Sequence, residues 1–460
     1  MHNNTINLQN TVEEQAKAIR ILCEEYVKYN KIDPALYDKF NVKRGLRNQD
    51  GTGVVAGITH ICNVHGYVLS EGERVPIDGE LIYRGIDIRD IINGCHAEDR
   101  FGYEETVWLL LFGSLPTKEQ LDYFKQTLCL FRELPPRFTN EVIINVPSND
   151  IMNMLSRAVL ALYSYDEHAD DTSLENVMRQ CIELIAILPS IMVNAYQAKR
   201  RAFDSDSMVL HPCITEHSCA ENILSTIRAD RSFTEDEARL LDLMLILHAE
   251  HGGGNNSTFV CRTLTSSGTD TYSAISGAIG SLKGPKHGGA NAKVMNMLEC
   301  IKTGVSNWEN EGEVADFLRK IINKQACDGS GLIYGIGHAI YTKSDPRAVI
   351  LKEKAFELAH GGEYEAEFKL LELVEKLAPE VFYEFKGGSK VLGANVDFYS
   401  GLVYKMLGIP PELFTPMFAV ARMGGWCAHR IEELTTCARI IRPAYKTIES
   451  GHKYLPLSER

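Results

Sequence analysis

The sequence has no Cys-x-x-Cys pair, no apolar run near the length of a membrane span and no excess of positive charge. Each absence removes a class of function. Its 48 Lys and Arg stand against 61 Asp and Glu, for a formal net charge of −13, whereas a general nucleic-acid binder is usually basic. The most apolar stretches, such as residues 240–247, fall far short of the ~20 residues a bilayer crossing needs. The start, Met1-His2-Asn3-Asn4-Thr5, lacks the basic segment and apolar core of a secretory signal, and the acidic pair Glu13-Glu14 is foreign to a transit peptide. The twelve cysteines, scattered from Cys23 to Cys437, read as buried thiols in a reducing cytosol. A cytoplasmic location is expected, with neither a membrane nor nucleic acid as partner.

Phosphate and metal motifs are missing too. There is no Walker loop, and no Gly-x-Gly-x-x-Gly follows a strand in a βαβ unit. His248-Ala249-Glu250-His251 spaces two histidines three apart; a metalloprotease helix needs them four apart, with Glu directly after the first. His60, Cys62 and His65 cluster elsewhere. No metal site is expected. Internal repeats and low-complexity tracts are likewise absent.

What is present is an ordinary globular composition, 45% apolar and 24% charged, over 460 residues. That length suits two or more domains of about 100–200 residues. Apolar spacing predicts a helix over 11–29, broken by Asp33-Pro34. Residues 52–90 carry the one substantial β signal, with strands expected at 58–64 and 81–84 and turns at Gly66, Glu71-Gly72 and Asp78-Gly79. Helices follow: one over 104–111, one capped by Thr117, and one opened by a Thr234/Glu237 capping box and buried through His248. The small side chains of 269–283 suit tight helix packing. Gly-rich segments at 252–254, 284–289 and 335–337 are hinge candidates.

Chemistry gathers at those glycines. Four of the fourteen histidines sit beside them: His248, His251, His287 and His338. A histidine next to Gly has room to hydrogen-bond a ligand oxygen, although each alone is equally served by a neighbouring carbonyl. His287 precedes a helix expected over 292–301, and a helix N-terminus disfavours a charged ring. A neutral imidazole still donates one hydrogen bond, as enolate stabilisation requires. Asp397, among Phe398 and Tyr399, reads either as a partly desolvated base or as a helix N-cap. Arg422 lies in an apolar run and needs an anionic partner. Arg347 follows Pro346, and Arg442-Pro443 follows the helix containing Arg439.

Assembled, these residues resemble the citrate synthase family from about Gly45 to Tyr445. The resemblance rests on Gly79–Ile86 and Leu109–Thr117, then on His251-Gly-Gly-Gly-Asn255-Asn-Ser257, Gly284-Pro-Lys-His287-Gly288, Gly335-Ile-Gly337-His338 through Asp345-Pro-Arg347, Asn395-Val-Asp397 with Ser400-Gly401, Phe418-x-x-x-Arg422 and Arg442-Pro443. It implies a mainly α, two-domain helical fold with a small N-terminal β-sheet. The large domain would combine 1–287 and 404–460, and 288–403 would form a small domain closing over the site. The implied reaction condenses acetyl-CoA with oxaloacetate to citrate and CoA.

Asp397 would then take a methyl proton, His287 would donate to the thioester oxygen, and His338 would polarise the ketone. His251, Asn255, Arg347, Phe418 and Arg422 would hold oxaloacetate, with Arg442 reaching in from the partner of a homodimer. Ser257 would orient His287. Leu332, Ile333, Tyr334, Gly335, Ile336 and Gly337 would meet CoA, with Lys343 serving its phosphates because Thr342 stands where many relatives carry an Arg or Lys. No cofactor is implied, since the thioester itself activates the methyl group. Lys286 stands where the family usually has an apolar residue. A 2-methylcitrate synthase using propionyl-CoA and a non-catalytic dimer binding CoA or dicarboxylates remain the alternatives.

Overall fold

The computed structural model describes residues 8–29, 32–48, 52–70, 73–338, 340–386, 392–436, 439–449 and 451–459. The turn expected at Glu71-Gly72, and Cys437, lie outside them. The chain forms two units by its contacts, residues 57–441 and residues 1–56 with 442–460.

The larger unit begins with a three-stranded sheet. β1 (Cys62–Ser70) pairs antiparallel with β2 (Glu73–Tyr83), which pairs antiparallel with β3 (Ile86–Asp87). Along β2 Gly79, Leu81 and Tyr83 are buried and Glu80 is exposed, the alternation of a half-covered sheet. The strands differ from expectation at both ends. Residues 58–60 stay outside the ladder; the His60 N–H goes instead to Glu432 Oε1 at 2.8 Å. β2 starts eight residues early and stops at Tyr83, because Arg84 and Gly85 turn with φ of 49° and 88°.

Gly66 and Asp78-Gly79 are not turns but strand positions. A side chain at Gly66 would meet Ile340 O at 2.9 Å, and one at Gly79 would collide with Ser344 O. Both glycines let the segment 340–346 lie directly on the hairpin, where Asp78 bridges to Ser344.

Among the described residues every regular element after the sheet is a helix, and the fold is mainly α. The expected helix over 104–111 is Tyr103–Phe112, closed by Gly113 at φ 87°. Capping boxes form at Thr117 with Gln120 and at Thr234 with Glu237, the second opening Glu235–His248. The helix after His287 is Ala290–Gly304. Phe414–Thr436 runs through the centre and packs on Leu174–Phe203, Asn256–Ser266, Glu235–His248 and Tyr103–Phe112. Gly424 and Gly425 allow that approach: a side chain at Gly424 would press on Val107, and one at Gly425 on Glu250 and Ala249 O. Arg439 lies beyond this helix, which stops at Thr436. Leu174–Phe203 is long and apolar enough to cross a membrane, a stretch the sequence reading passed over, but 72% of its most apolar window is buried inside the helical layers.

The expectation of buried thiols holds in part. Cys300 and Cys327 are joined as a disulfide rather than left as thiols, Cys23 is exposed and Cys129, Cys213 and Cys219 are half-buried, while Cys62, Cys95, Cys181, Cys261 and Cys427 are buried and free as expected. The smaller unit holds the first helix, Leu8–Tyr29, with Ile19, Leu22 and Tyr26 exposed along it. Within this unit Arg44 stacks on Tyr37, with 4.5 Å from guanidinium to ring centre.

Candidate active site

Four loops and two helices of the larger unit bring the predicted residues together. The loop after Glu235–His248 carries His251 and Asn255. His251 is buried, and its Nε2 has no hydrogen-bond partner among the described residues. Its ring meets His338 edge-on at 5.1 Å and Tyr341 at 5.5 Å, while His338 stacks on Tyr341 at 4.8 Å. Burial, reinforced by Arg347, holds the His251 imidazole well below its usual pKa.

Hydrogen bonding fixes two tautomers. His338 Nδ1 accepts from the backbone N–H groups of Ile340 and Tyr341 at 3.1 and 3.2 Å. A backbone N–H only donates, so the ring proton sits on Nε2, a donor suited to a carbonyl oxygen. His287 Nε2 lies 3.0 Å from Ser257 Oγ and 3.4 Å from Ser257 N. The same logic puts the lone pair on Nε2 and the proton on Nδ1. Burial, with Arg422 adding to it, lowers the His287 pKa to about 4, so the ring is neutral near pH 7. Ser257 Oγ also accepts from Trp426 Nε1 at 3.2 Å and lies 2.9 Å from Asn255 Oδ1. Ser257 thereby ties the His251 loop, His287 and the central helix at one point.

Asp397 sits at a helix start. Asn395, not Asp397, is the N-cap of Val396–Met406, its side chain accepting from Asp397 N at 3.0 Å. That frees the Asp397 carboxyl from capping. Asp397 Oδ1 is closed off and unpartnered among the described residues. Burial pushes its pKa up to about 7, with Asp345 raising it further and Arg347 and Arg422 pulling against it. The loop holding His338 is stitched to this helix start. Gly337 N donates to Gly393 O at 2.8 Å, Asn395 N to Gly335 O at 2.8 Å, and Asn395 Nδ2 to Gly337 O at 2.9 Å. Gly335 and Gly337, at φ 80° and 91°, supply the left-handed turns this path needs.

Two guanidinium groups face the same region. Arg422 is fully buried. Its Nε donates to His248 O at 2.7 Å, and its plane lies 4.7 Å above Phe418. Neither Nη has a partner among the described residues. Arg347 Nε and Nη2 meet the two oxygens of Asp345 at 3.0 and 2.7 Å. A buried, unneutralised guanidinium is costly unless an anion joins it, and planar guanidinium forks suit carboxylates.

The remaining predicted residues are spread more widely. Leu332 is exposed, Ile333 is buried, and Tyr334 donates to Asp328 at 2.6 Å. Lys343 is exposed and paired with Asp78 at 2.9 Å. Lys286 is exposed. Arg442 opens the C-terminal segment of the smaller unit and is described with that unit.

Several residues with a part here were not singled out from sequence. Glu250 takes the Gly252 N–H at 2.5 Å and a bond from His429 Nε2 at 3.0 Å; Arg262 Nε donates to His429 Nδ1 at 2.9 Å and pairs with Glu432 and Glu433. This buried chain fixes the loop that carries His251. Its signal was the one that exposed Arg422: charged residues at 429–433 inside an apolar helix. Tyr404, buried on the helix that carries Asp397, is another.

A buried carboxyl with a raised pKa, imidazole N–H donors and buried guanidinium groups are the kinds of side chain that carbon-acid condensation uses. The chain belongs to the citrate synthase family: the family model for the citrate synthase C-terminal domain matches residues 48–444. It is 36% identical to citrate synthase of Haloferax volcanii over 409 residues, 86% of this chain and 98% of that one. It is 34% identical to 2-methylcitrate synthase 1 of Corynebacterium glutamicum over 430 residues, 91% and 98%. Among solved structures, the citrate synthase of Thermoplasma acidophilum, in ternary complex with carboxymethyl coenzyme A and oxaloacetate, matches with a TM-score of 0.74 at 27% identity. That match covers 91% of this chain and 99% of that one.

Proposed function

We propose that this family acyltransferase condenses acetyl-CoA with oxaloacetate, giving citrate and CoA through an enolate and citryl-CoA. The observation that carries the proposal is Asp397: a closed-off carboxyl oxygen with its pKa near 7, near the Arg422 guanidinium, whose two Nη atoms have no partner among the described residues. A pure binding protein has no use for such a base. Asp397 takes the methyl proton, and His287 Nδ1–H stabilises the enolate oxygen. His338 Nε2–H polarises the ketone, and His251, Asn255, Arg347 and Arg422 hold the carboxylates over Phe418. Base and oxygen donors act together because a thioester methyl is a weak acid.

In this reading residues 288–403 are a small domain closing on a large one made of 1–287 and 404–460, keeping water from the enolate. Arg442 completes the carboxylate site from the partner of a homodimer, and residues 332–337 with Lys343 meet CoA. The location is cytoplasmic.

The second reading is a 2-methylcitrate synthase, favoured by the 34% identity to the Corynebacterium enzyme. One methylene in a pocket is worth only about 1–3 kcal/mol. Product chromatography with oxaloacetate and each acyl-CoA in separate reactions tests both. A higher kcat/KM for citrate formation supports the first reading. Preference for propionyl-CoA moves the substrate and keeps the mechanism, and no product from either, with folded protein, sinks both.

A further inference from the structure

The helix Val396–Met406 is almost wholly buried, yet one stripe of it is polar. Asp397, Ser400 and Tyr404 stand at i, i+3 and i+7, one face of a 3.6-residue helix. Ser400 and Tyr404 are fully buried. Asp397 Oδ1, Ser400 Oγ and Tyr404 Oη all lack a hydrogen-bond partner among the described residues. A helical side chain leans toward the N-terminus, so the Tyr404 phenol is carried toward Asp397.

His248 faces the same stripe from another helix. Its ring lies 6.5 Å from the Tyr404 ring and 4.7 Å from Phe418. Its Nδ1 is 2.8 Å from Met244 O; a carbonyl only accepts, so Nδ1 carries the proton and Nε2 is a bare acceptor. That Nε2 also has no partner among the described residues. Arg422, whose Nε holds His248 O, closes the group with two unpaired Nη atoms.

Buried polar groups are satisfied by protein or by ordered water. Four such atoms on two elements, one of them the base, are more than packing explains; an apolar Phe would fill the place of Tyr404 at no desolvation cost. The condensing reaction has a particular need here. Its first half must exclude water from the enolate, but its second half consumes one water to cleave the citryl thioester.

Resting on the reaction proposed above, the geometry points to Tyr404 as a further catalytic residue: with His248 Nε2 it holds the single water that hydrolyses citryl-CoA. His248 Nε2 accepts one water hydrogen, and the Tyr404 hydroxyl bonds the water oxygen. That oxygen adds to the thioester carbon and the C–S bond breaks. The methyl proton that Asp397 took in the first half is delivered to the citryl alkoxide, which leaves Asp397 ionised; one water proton then passes to the Asp397 carboxylate and from there to the departing CoA thiolate. The other stays on the new carboxyl group and ionises from it. Water and thioester give citrate and thiol, with no oxidant or reductant needed.

The test is a single turnover of Tyr404→Phe with labelled acetyl-CoA and oxaloacetate, quenched in acid, together with hydrolysis of supplied citryl-CoA. Acetyl-CoA should disappear within about threefold of the wild-type rate. Citryl-CoA hydrolysis should fall about tenfold or more, so that citryl-CoA accumulates. His248→Asn, which keeps a donor for Met244 O and removes Nε2, should give the same split. Wild-type hydrolysis in either variant, or an equal fall of both steps in both variants, overturns the assignment. Absence of condensation in the unmodified protein removes its basis, and is distinguishable because it precedes any variant.

Discussion

Asp345 grips Arg347 through both carboxylate oxygens, at 3.0 and 2.7 Å, and the second oxygen also takes the Val396 N–H at 3.2 Å. One buried carboxylate thus holds the Arg347 guanidinium and anchors the helix bearing Asp397. Burial alone would raise the Asp345 pKa; the Arg347 charge outweighs it and holds the carboxyl low. Asp345→Ala leaves Arg347 buried without its counter-ion, a loss of about 3–5 kcal/mol. Denaturant unfolding should show that loss, and KM for oxaloacetate should rise.

Asp397→Asn should cost about 10²–10⁴ in turnover. Calorimetry should find oxaloacetate still bound, because the anion contacts come from Arg347, Arg422 and His251. Loss of binding in parallel with turnover would place Asp397 in the substrate cradle rather than at the proton.

Activity and stability should respond to pH in opposite senses at this residue. With the pKa about 7, kcat/KM should rise from pH 5.5 to a plateau above about pH 8. His287, near 4, stays neutral across that range and adds no second limb. The folded pKa of Asp397 lies above its unfolded value, so folding favours the protonated form and stability falls as pH rises from about 4 to about 7, then levels off. Asp397→Asn should therefore be more stable than wild type at pH 8, by about 1–3 kcal/mol, and nearly equal to it at pH 4. Thermal melts at the two pH values check the sign.

Ser257→Ala removes the hydroxyl that meets both His287 Nε2 and Trp426 Nε1. A misaimed imidazole should lower kcat by about 10–100-fold, and the unpaired indole should cost about 1–3 kcal/mol. Ser257→Thr keeps the hydroxyl and should recover part of both.

The motifs at His251, His287, His338, Arg347, Asp397 and Arg422 were legible because each combines a reactive side chain with a Gly turn or an apolar run. Helix starts at Thr117 and Thr234 were legible for the same local reason: a capping residue and its partner lie within one turn. Strand ends were not. Gly66 and Gly79 read as turns from sequence, yet the structure uses them to admit Ile340 and Ser344 against the sheet, a contact between segments more than 250 residues apart.

The sequence by itself determined the helical class and the family, and it singled out the side chains assigned to the reaction in the proposed function, since these depend on residue type and on neighbours along the chain. Tertiary structure decided which nitrogen of each imidazole carries its proton and that Asn395, rather than Asp397, caps its helix. It also decided that His248 packs beside Tyr404 on the helix that carries Asp397. Those outcomes depend on hydrogen-bond partners and on burial, both of which come from parts of the chain far apart in sequence and exist only once the helices have packed.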